Sequence, residues 1–468
     1  MRKILLASAA ILGATGGIAS AQTVPNPSQG QLAAPWAAGP AANNNNNALG
    51  RAAPGADAIP TPGTVVIRLN GRVQSVVSIT SGTGNTTPGF KVSPINFFNY
   101  MRLYPGVDGM ASNGLRYGAS IELRENFPAA TVPASNPSTF SSGQTVFVRR
   151  AFTYMGTDQV GIVRLGVADG VIGLFDGGIF TSQTWDAGIG NFNGGVGQVS
   201  SATVGLGIPF VWLSQAGAEY DNAKVVYLTP QFFGFDFGVQ YAPNMGSANA
   251  VAGCAVANAA CHQLTAGTDA SRWLNQVAAG VRYQGSFGDV NLKAFALYET
   301  AGKESIAGGG FVANGNLAAQ NTAGVTGLKY DNLSFFNAGA AVSFAGFTVA
   351  ADYIGGALNG QLAMRPQGGA PMNALVTGIT YANGPWVFGL ETAWVESQGD
   401  VRLTKISQRH EWEIALGGTY KVAPGLALAA EYLYAQRHQG GFNFVTAATT
   451  GTRDVHKQSL VFATIITW

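Results

Sequence analysis

Charged residues are scarce in this sequence. Only 11% of its 468 residues are Asp, Glu, Lys or Arg, against about 25% in ordinary soluble proteins. So few charges cannot cover the surfaces of the roughly three soluble domains that this length would otherwise suggest. The net charge of +2 is also too small to suggest a nucleic-acid partner. The composition therefore argues against a soluble multidomain protein and against nucleic-acid binding.

Long hydrophobic runs are missing after the N-terminus. No later stretch reaches the roughly 18 uninterrupted apolar residues of a membrane-spanning helix. The chain is nevertheless rich in glycine, with 64 residues, and 10% of its residues are aromatic. The remaining membrane architecture is a β-barrel, whose strands hide their hydrophobicity by alternating apolar and polar side chains.

Cysteine is limited to Cys254 and Cys261. Exported proteins rarely keep exposed thiols, so we expect a short disulfide between these two residues rather than two free thiols. Such a small covalent loop would stabilise the chain only modestly and locally.

The N-terminal 63 residues predict two segments outside the folded domain. Residues 1–21 combine a basic start, an apolar stretch and a final Ala-Ser-Ala, which is the pattern of a secretory signal peptide. Residues 22–63 are rich in Pro, Ala and Asn and lack periodicity, which favours a disordered periplasmic leader. The alternative for this leader is a peptide that folds into the barrel or tethers it to the cell wall.

Period-two alternation begins at Thr64 and continues to Trp468, which defines the barrel domain as residues 64–468. Successive side chains of a strand point to opposite faces, so alternation predicts one lipid-facing and one lumen-facing side. Sixteen such segments are predicted, an even number as bacterial single-chain barrels require. They lie near 64–79, 92–104, 114–126, 144–155, 159–168, 217–229, 233–243, 272–285, 289–300, 331–344, 346–358, 372–382, 385–397, 408–421, 425–438 and 457–468.

The connections alternate between short and long, as periplasmic turns and extracellular loops do in such barrels. The connection at residues 105–113 is predicted to be one of the periplasmic turns, although it is longer than the others. The longest connection, 169–216, separates the fifth strand from the sixth and has no sustained periodicity. Structureless loops of this length are uncommon and usually functional.

Aromatic residues are predicted to gather at the short-turn ends of the strands, as in a girdle at the membrane interface. The final strand also alternates and ends on Trp468. The residues of the predicted girdle are Tyr154, Tyr227, Phe235, Tyr283, Phe287, Phe344, Phe347, Tyr381, Trp386 and Tyr420.

Two motifs flank the long connection: VRLG at 163–166 and VYLTPQFFGF at 226–235. With these motifs the sequence resembles the sixteen-stranded general porins of Gram-negative bacteria, of the alphaproteobacterial type. The resemblance covers residues 64–468 and implies that the long connection is an extracellular loop folded into the barrel. The sequence LFDGG at 174–178 departs from the acidic, Gly-rich loop motif of the family, which leaves the identity of the constriction carboxylate open.

The resemblance implies a constriction in which carboxylates of the inward loop face basic residues of the wall, around a water-filled lumen. Asp169, Asp176 and Asp186 are the candidate carboxylates, with Asp176 preferred. Strand parity predicts the wall, because it places seven arginines on the face opposite the apolar one. These arginines are Arg68, Arg72, Arg102, Arg116, Arg124, Arg149 and Arg164.

Basic residues outnumber acidic ones nine to four between Thr64 and Ala168. A lipid-facing Arg at mid-depth costs roughly 2–4 kcal/mol, so lumenal positions are favoured. Arg150 breaks the alternation and is predicted at a rim or a subunit contact. This excess of basic residues leads to the hypothesis that the channel weakly prefers anions.

The resemblance thus implies an outer-membrane channel for passive diffusion of small hydrophilic solutes, embedded in lipid and assembled as a homotrimer. The loop 127–143 would then latch onto a neighbouring subunit. A substrate-specific channel, for sugars or phosphate, is left open by the sequence. So is a barrel that only anchors a surface binding protein.

An outer-membrane enzyme is a further alternative. The sequence contains neither an H-E-x-x-H motif nor a P-loop, and it predicts no cofactor or metal. Of the four histidines, which include His262, the last three (His410, His438 and His456) are expected near the outer rim beside Glu411 and Asp454. These residues form either a metal or hydrolytic site there, or ordinary solvated residues of the rim.

Overall fold

The computed structural model describes most of the predicted barrel. The described residues are 60–82, 95–126, 145–157, 159–168, 170–176, 222–244, 273–303, 331–358, 365, 367, 369–397, 409–438, 442–443, 448–449 and 454–468. The predicted signal peptide, the leader up to residue 59, the loop 127–143, His262 and the predicted disulfide between Cys254 and Cys261 lie outside these ranges.

The described chain is almost entirely β-structure, which confirms the all-β antiparallel prediction. The strands are β1 Thr64–Gly82, β2 Ile95–Met110, β3 Arg116–Asn126, β4 Thr145–Thr157, β5 Gly161–Val167, β6 Ala223–Leu228, β7 Phe235–Asn244, β8 Trp273–Phe287, β9 Val290–Lys303, β10 Leu333–Phe344, β11 Phe347–Gly356, β12 Met372–Asn383, β13 Trp386–Ser397, β14 Arg409–Ala423, β15 Leu426–His438, β16 Phe442–Asn443, β17 Ala448–Thr449 and β18 Asp454–Thr467. One short helix, α1 (Val171–Asp176), follows β5. Among the described residues, no helix has the length and apolar character needed to cross a membrane.

The sheet closes on itself because its first strand pairs with its last. β1 to β15 pair in sequence order, β15 pairs with β18, and β18 returns to β1 with Arg72 opposite Thr467. The two-residue strands β16 and β17 pair with each other outside this closed order. Closure leaves no strand edge along the paired segments, so backbone amides there find partners within the sheet.

The two faces of the sheet differ sharply in accessibility. On β1, Ile67 and Leu69 are 82% and 62% exposed, whereas the intervening Arg68 is 4% exposed. The same alternation recurs on β7, where Phe237 and Val239 are exposed and Asp236 and Gln240 are buried. Apolar side chains thus cover the outside of the barrel and the charged side chains of these strands point inward, as a barrel in lipid requires.

The prediction of a link at residues 105–113 is wrong for residues 105–110. Pro105 to Met110 belong to β2, where Met110 pairs with Thr64 at the start of the long strand β1. The pairing of β2 with β3 is interrupted between Leu103 and Gly106. Proline has no N–H to donate at this point, so the ladder skips it and then resumes. The actual turn occupies residues 111–115.

Outward aromatic residues lie at both ends of the barrel, not only at the short-turn end, whereas Tyr154 of the predicted girdle points inward and is 2% exposed. At the short-turn end, Phe347 packs on Tyr381 with ring centroids 4.5 Å apart. At the long-loop end, the Tyr353 hydroxyl donates to Asn373 Oδ1 at 2.8 Å and the Trp412 indole donates to Gln436 Oε1 at 3.0 Å. Rings with a polar tip are stable where hydrocarbon meets headgroups, so both boundaries of the bilayer are marked.

The tight turn between β10 and β11 holds a non-glycine residue in the left-handed region. Ala345 has φ 49° and Gly346 has φ 84°. Two successive positive φ angles are typical of type I′ hairpin turns, whose preferred sequence is Asn-Gly.

We expect Ala345→Asn to raise the free energy of unfolding by about 0.5–1 kcal/mol, because asparagine adopts positive φ more readily than alanine. Gly346→Ala is the matched control and should lower it by about 1–2 kcal/mol, since its Cβ would also lie 2.6 Å from the Ala382 carbonyl oxygen. Urea unfolding from lipid vesicles measures both, and a destabilised Ala345→Asn variant would contradict the assignment of the turn.

Candidate functional site

The long connection after β5 enters the barrel through helix α1. This helix packs against β7, β8 and β9, on the inward face that carries Asp236, Gly238 and Gln240. Its Val171, Ile172 and Phe175 are each no more than 1% exposed. The beginning of this connection therefore lies inside the barrel.

Three wall side chains, which we call the loop anchor, bind the backbone around α1. Lys224 Nζ on β6 donates to the Ala168 carbonyl oxygen at 2.8 Å. The Val171 amide donates to Gln240 Oε1 on β7 at 2.6 Å. Arg282 Nη1 on β8 donates to the Leu174 carbonyl oxygen at 3.3 Å. The loop anchor (Lys224, Gln240 and Arg282) satisfies backbone polar groups just before the helix, at its first residue and within it. Such support is needed because the helix is too short to stabilise itself.

Arg282 is held in place by its own partner. Its Nη2 and Nε lie 2.9 and 3.2 Å from the two carboxylate oxygens of Asp236, a bidentate pair. Its guanidinium carbon lies 5.2 Å from the centre of the Phe175 ring. The same side chain thus contacts the wall, the helix backbone and the helix core.

Gly238 provides the space in which α1 packs. A Cβ at this position would lie 3.0 Å from Phe175 Cζ and 3.1 Å from Val171 Cγ1. These distances are shorter than ordinary van der Waals contact, so a larger residue would push the helix away from the wall.

The predicted loop carboxylates fall at the edge of the described region. Asp176 is the last residue of α1, so its backbone lies inside the barrel, but its side chain is outside the described part. Asp169 and Asp186 also lie outside it. Their roles stay predictions.

Four of the seven predicted wall arginines have described side chains, and all four are on the inward face. Arg68, Arg102 and Arg164 are at most 4% exposed, and Arg116 is half-buried near the short-turn end of β3. For Arg72, Arg124 and Arg149 only the backbone is described. The strand register places the Cα atoms of Arg72, Arg102 and Arg124 opposite one another on β1, β2 and β3.

Several of these arginines are paired with acidic residues. Arg68 forms a bidentate pair with Asp108, which also accepts a hydrogen bond from the Tyr154 hydroxyl. Arg102 Nη1 lies 3.9 Å from Glu122 Oε1. The basic excess of this wall is therefore partly neutralised where it is buried.

Arg150 was expected at a rim or subunit contact, and this expectation is wrong. Its side chain is inward and 1% exposed, with Nε 3.2 Å from Glu122 Oε2. The reason is a β-bulge in β4: Glu122 pairs with Arg150 and the next residue, Leu123, pairs with Val148, so Arg149 is skipped. An extra residue inverts the parity of the strand.

The strands opposite this basic region carry an acidic wall, which the sequence analysis missed. The side chains of this acidic wall point inward on β9, β11, β13, β14 and β15, and all but Glu391 are at most 3% exposed. The alternation that assigned the arginines to the inner face would have found them too. They are Glu299, Asp352, Glu391, Glu411, Glu413 and Glu431.

The histidines lie on the other side of the sheet from these carboxylates. His410 Nδ1 is 3.1 Å from Glu396 Oε1 on the outward face, where Trp412 is also exposed. Glu411 points inward and is fully buried. The proposed grouping of His410 with Glu411 is therefore wrong, because adjacent residues of a strand face opposite ways. Among the described residues, no cluster of three or more His, Cys, Asp or Glu could hold a metal ion.

Comparison with protein families identifies one match over nearly the whole chain. The model of the family described as Gram-negative porin matches residues 7–439. A comparison with curated proteins finds no match.

Several solved structures are similar to this one. An anion-selective porin from Comamonas acidovorans has 15% sequence identity and a TM-score of 0.49, covering 86% of this chain and 100% of its own. The outer membrane channel DcaP of Acinetobacter baumannii has 10% identity and a TM-score of 0.49, covering 88% and 100%. The loop L8 deletion mutant of OmpT, an outer membrane protein of Vibrio cholerae, has 12% identity and a TM-score of 0.48, covering 86% and 99%.

Gln240→Leu tests the loop anchor, because it keeps the side-chain volume but removes the acceptor of the Val171 amide. One hydrogen bond is worth about 1 kcal/mol, so amide exchange at Val171 should accelerate roughly fivefold. Hydrogen–deuterium exchange with mass spectrometry of the peptide containing residues 170–176 measures this. Gln231→Leu, in the β6–β7 turn, is the control; equal exchange in both variants would argue against the anchor.

Proposed function

This chain belongs to the Gram-negative porin family and is an outer-membrane channel for passive diffusion, and we propose that it acts as a sixteen-stranded transmembrane barrel narrowed by its β5–β6 connection. The closed strand order from β1 through β15 and β18 supports this architecture. A barrel of this size encloses a lumen wide enough for water and small hydrophilic solutes, unless part of the chain occupies it.

The observation that carries the proposal is the position of α1. The connection after β5 turns inward at once and is held against β7 and β8 by the loop anchor. A connection that starts inside the barrel narrows it at that height. Asp176, at the end of α1, is the carboxylate that we expect to face the basic wall across the remaining opening.

Charge is arranged in two opposed regions around this opening. The inward residues of β1–β6 include Arg68, Arg102, Arg116, Arg150, Arg164 and Lys224, against Asp108 and Glu122. The acidic wall lies across the barrel on β9–β15. Charged groups on opposite sides of a narrow, low-dielectric pore select solutes by charge as well as by size.

The weak anion preference expected from β1–β5 is opposed by the acidic wall. We therefore expect a selectivity close to neutral, in which removing one charge from either region shifts the preference in a predictable direction. We also propose that the protein assembles into a homotrimer and that residues 1–21 are a signal peptide. The loop 127–143 would then latch onto a neighbouring subunit.

Reconstitution into planar lipid bilayers tests the channel itself. We expect stepwise increases in current as molecules insert, with closures in three equal substates if each subunit of a trimer conducts independently. Folded protein that inserts into the bilayer but gives no steps would contradict the channel and favour a barrel that only anchors a surface function.

Two charge variants test the opposed regions. Arg102→Gln should shift the reversal potential under a KCl gradient toward cation selectivity, because it removes a positive charge from the basic wall. Glu413→Gln should shift it toward anion selectivity. Asp289→Asn, in the exposed β8–β9 turn, is the matched control and should change little; shifts of the same sign in both wall variants would contradict the arrangement.

A further inference from the structure

Two hydrogen-bond donors on the inner face of β1 are buried and lack an acceptor. Arg68 and Asn70 are two residues apart, so both side chains point into the barrel, and they are 4% and 7% exposed. Arg68 Nη1 and Asn70 Nδ2 have no hydrogen-bond partner in the part of the chain that the structure describes. We call these two atoms the donor pair.

Donors that are buried in a folded protein are almost always hydrogen-bonded. A buried donor without an acceptor loses the hydrogen bonds that it would otherwise make with water. Two such donors, side by side on one strand of a channel wall, therefore point to an acceptor that a ligand supplies.

The orientation of Arg68 is fixed by its other two nitrogens. Nε and Nη2 form the bidentate pair with Asp108, whose Oδ1 also accepts a hydrogen bond from the Tyr154 hydroxyl. A guanidinium group is planar and presents its donors in a rigid fork, so the edge that faces Asp108 leaves Nη1 on the opposite side. This donor is held in advance, and little freedom is lost when a ligand binds to it.

The neighbouring strand β2 is adapted to this arrangement. Gly106 lies opposite Arg68, and Tyr104 lies opposite Asn70. A Cβ at position 106 would lie 2.8 Å from Arg68 Nη2, so a larger residue would displace the guanidinium group. Tyr104 is itself only 3% exposed. The donor pair thus lies where water is largely excluded and where hydrogen bonds to a charged group are stronger than in water.

The charges around the donor pair favour an anion. Among the described side chains, four buried arginines meet two buried carboxylates on the inner face of β1–β5. They are Arg68, Arg102, Arg150 and Arg164, against Asp108 and Glu122. A ligand that supplies acceptors to two donors in positively charged surroundings is an oxyanion.

We propose that the donor pair binds a small oxyanion, namely the phosphate or carboxylate group of a solute in the lumen. This inference rests on the proposed channel, which brings solutes to this wall, and it names a class of solute that the channel retains. An oxyanion has several oxygen acceptors and can meet both donors at once, whereas chloride is a single acceptor. Phosphate should therefore occupy the site in competition with the passage of chloride.

Inhibition of the chloride current tests the site. In planar bilayers at constant ionic strength, replacing part of the chloride by inorganic phosphate should lower the single-channel current until the effect saturates. Asn70→Leu keeps the approximate side-chain volume but removes Nδ2, and it should raise the half-inhibiting phosphate concentration about tenfold. Asn373→Leu, the same substitution on the outer face of β12, is the matched control and should leave that concentration unchanged.

Asn70→Asp covers the case in which the leucine variant does not fold, because its side chain has nearly the same shape as asparagine. It replaces the donor by a carboxylate that repels an anion, so no saturable inhibition should remain. Inhibition of equal strength in the parent protein and in Asn70→Asp would overturn the proposal.

Acetate, tested over the same range of concentrations, distinguishes the two kinds of oxyanion. Stronger inhibition by phosphate assigns the site to phosphate-bearing solutes, and stronger inhibition by acetate assigns it to carboxylate-bearing ones. If neither anion inhibits, the donor pair is bonded to water only and the proposal is overturned.

Equilibrium binding separates the site from the channel on which it rests. Isothermal titration of the folded, full-length protein in detergent micelles should show saturable binding of inorganic phosphate that Asn70→Asp abolishes. Current steps without phosphate binding would overturn the site while leaving the channel intact. Phosphate binding without current steps would contradict the channel and support the site.

Discussion

Each residue of these strands has only two directions in which to point, outward or into the barrel, and this restriction determines where the charges go. An arginine or glutamate at mid-depth on the lipid side costs several kcal/mol, so nearly all described charges of the strand interiors point inward. Once enclosed, they have to be compensated by one another. The pairs of Arg68 with Asp108, Arg150 with Glu122 and Arg282 with Asp236 are the result. The basic and acidic residues on opposite walls therefore both face the interior. The loop anchor also points inward, where it can reach α1.

Buried ion pairs of this kind contribute more to position than to stability. The desolvation of both partners offsets most of their attraction, but removing one partner leaves a buried charge and costs about 3–5 kcal/mol. Arg282 illustrates the point: Asp236 fixes its guanidinium where it contacts both the Leu174 carbonyl oxygen and the Phe175 ring. The position of α1 therefore depends on an ion pair that lies in the barrel wall.

Strand positions were predictable from the sequence because period-two alternation and glycine-containing turns are local signals. The predicted segments 331–344 and 385–397 differ from β10 and β13 by two residues or fewer at each end. The break in alternation at Arg150 was visible in the sequence, but alternation alone does not distinguish a β-bulge from an outward residue at a rim. The loop anchor was also missed, because Lys224, Gln240 and Arg282 lie on three strands and share a function only after the connection folds inward. The acidic wall could have been predicted by applying the same alternation of inward and outward side chains to β9–β15.

The pairing of β1 with β18 has a consequence for the order in which this barrel forms. These strands contain the first and the last strand residues that the structure describes, so their contact is among the most non-local in the described part. The entropy of closing so long a loop has to be lost before it forms. Until then both strands carry unpaired edges that could pair with other chains. The barrel cannot become edge-free before its last strand is available, so synthesis and export must deliver the whole chain before the fold is complete. The C-terminal strand thus acts as the final checkpoint of assembly.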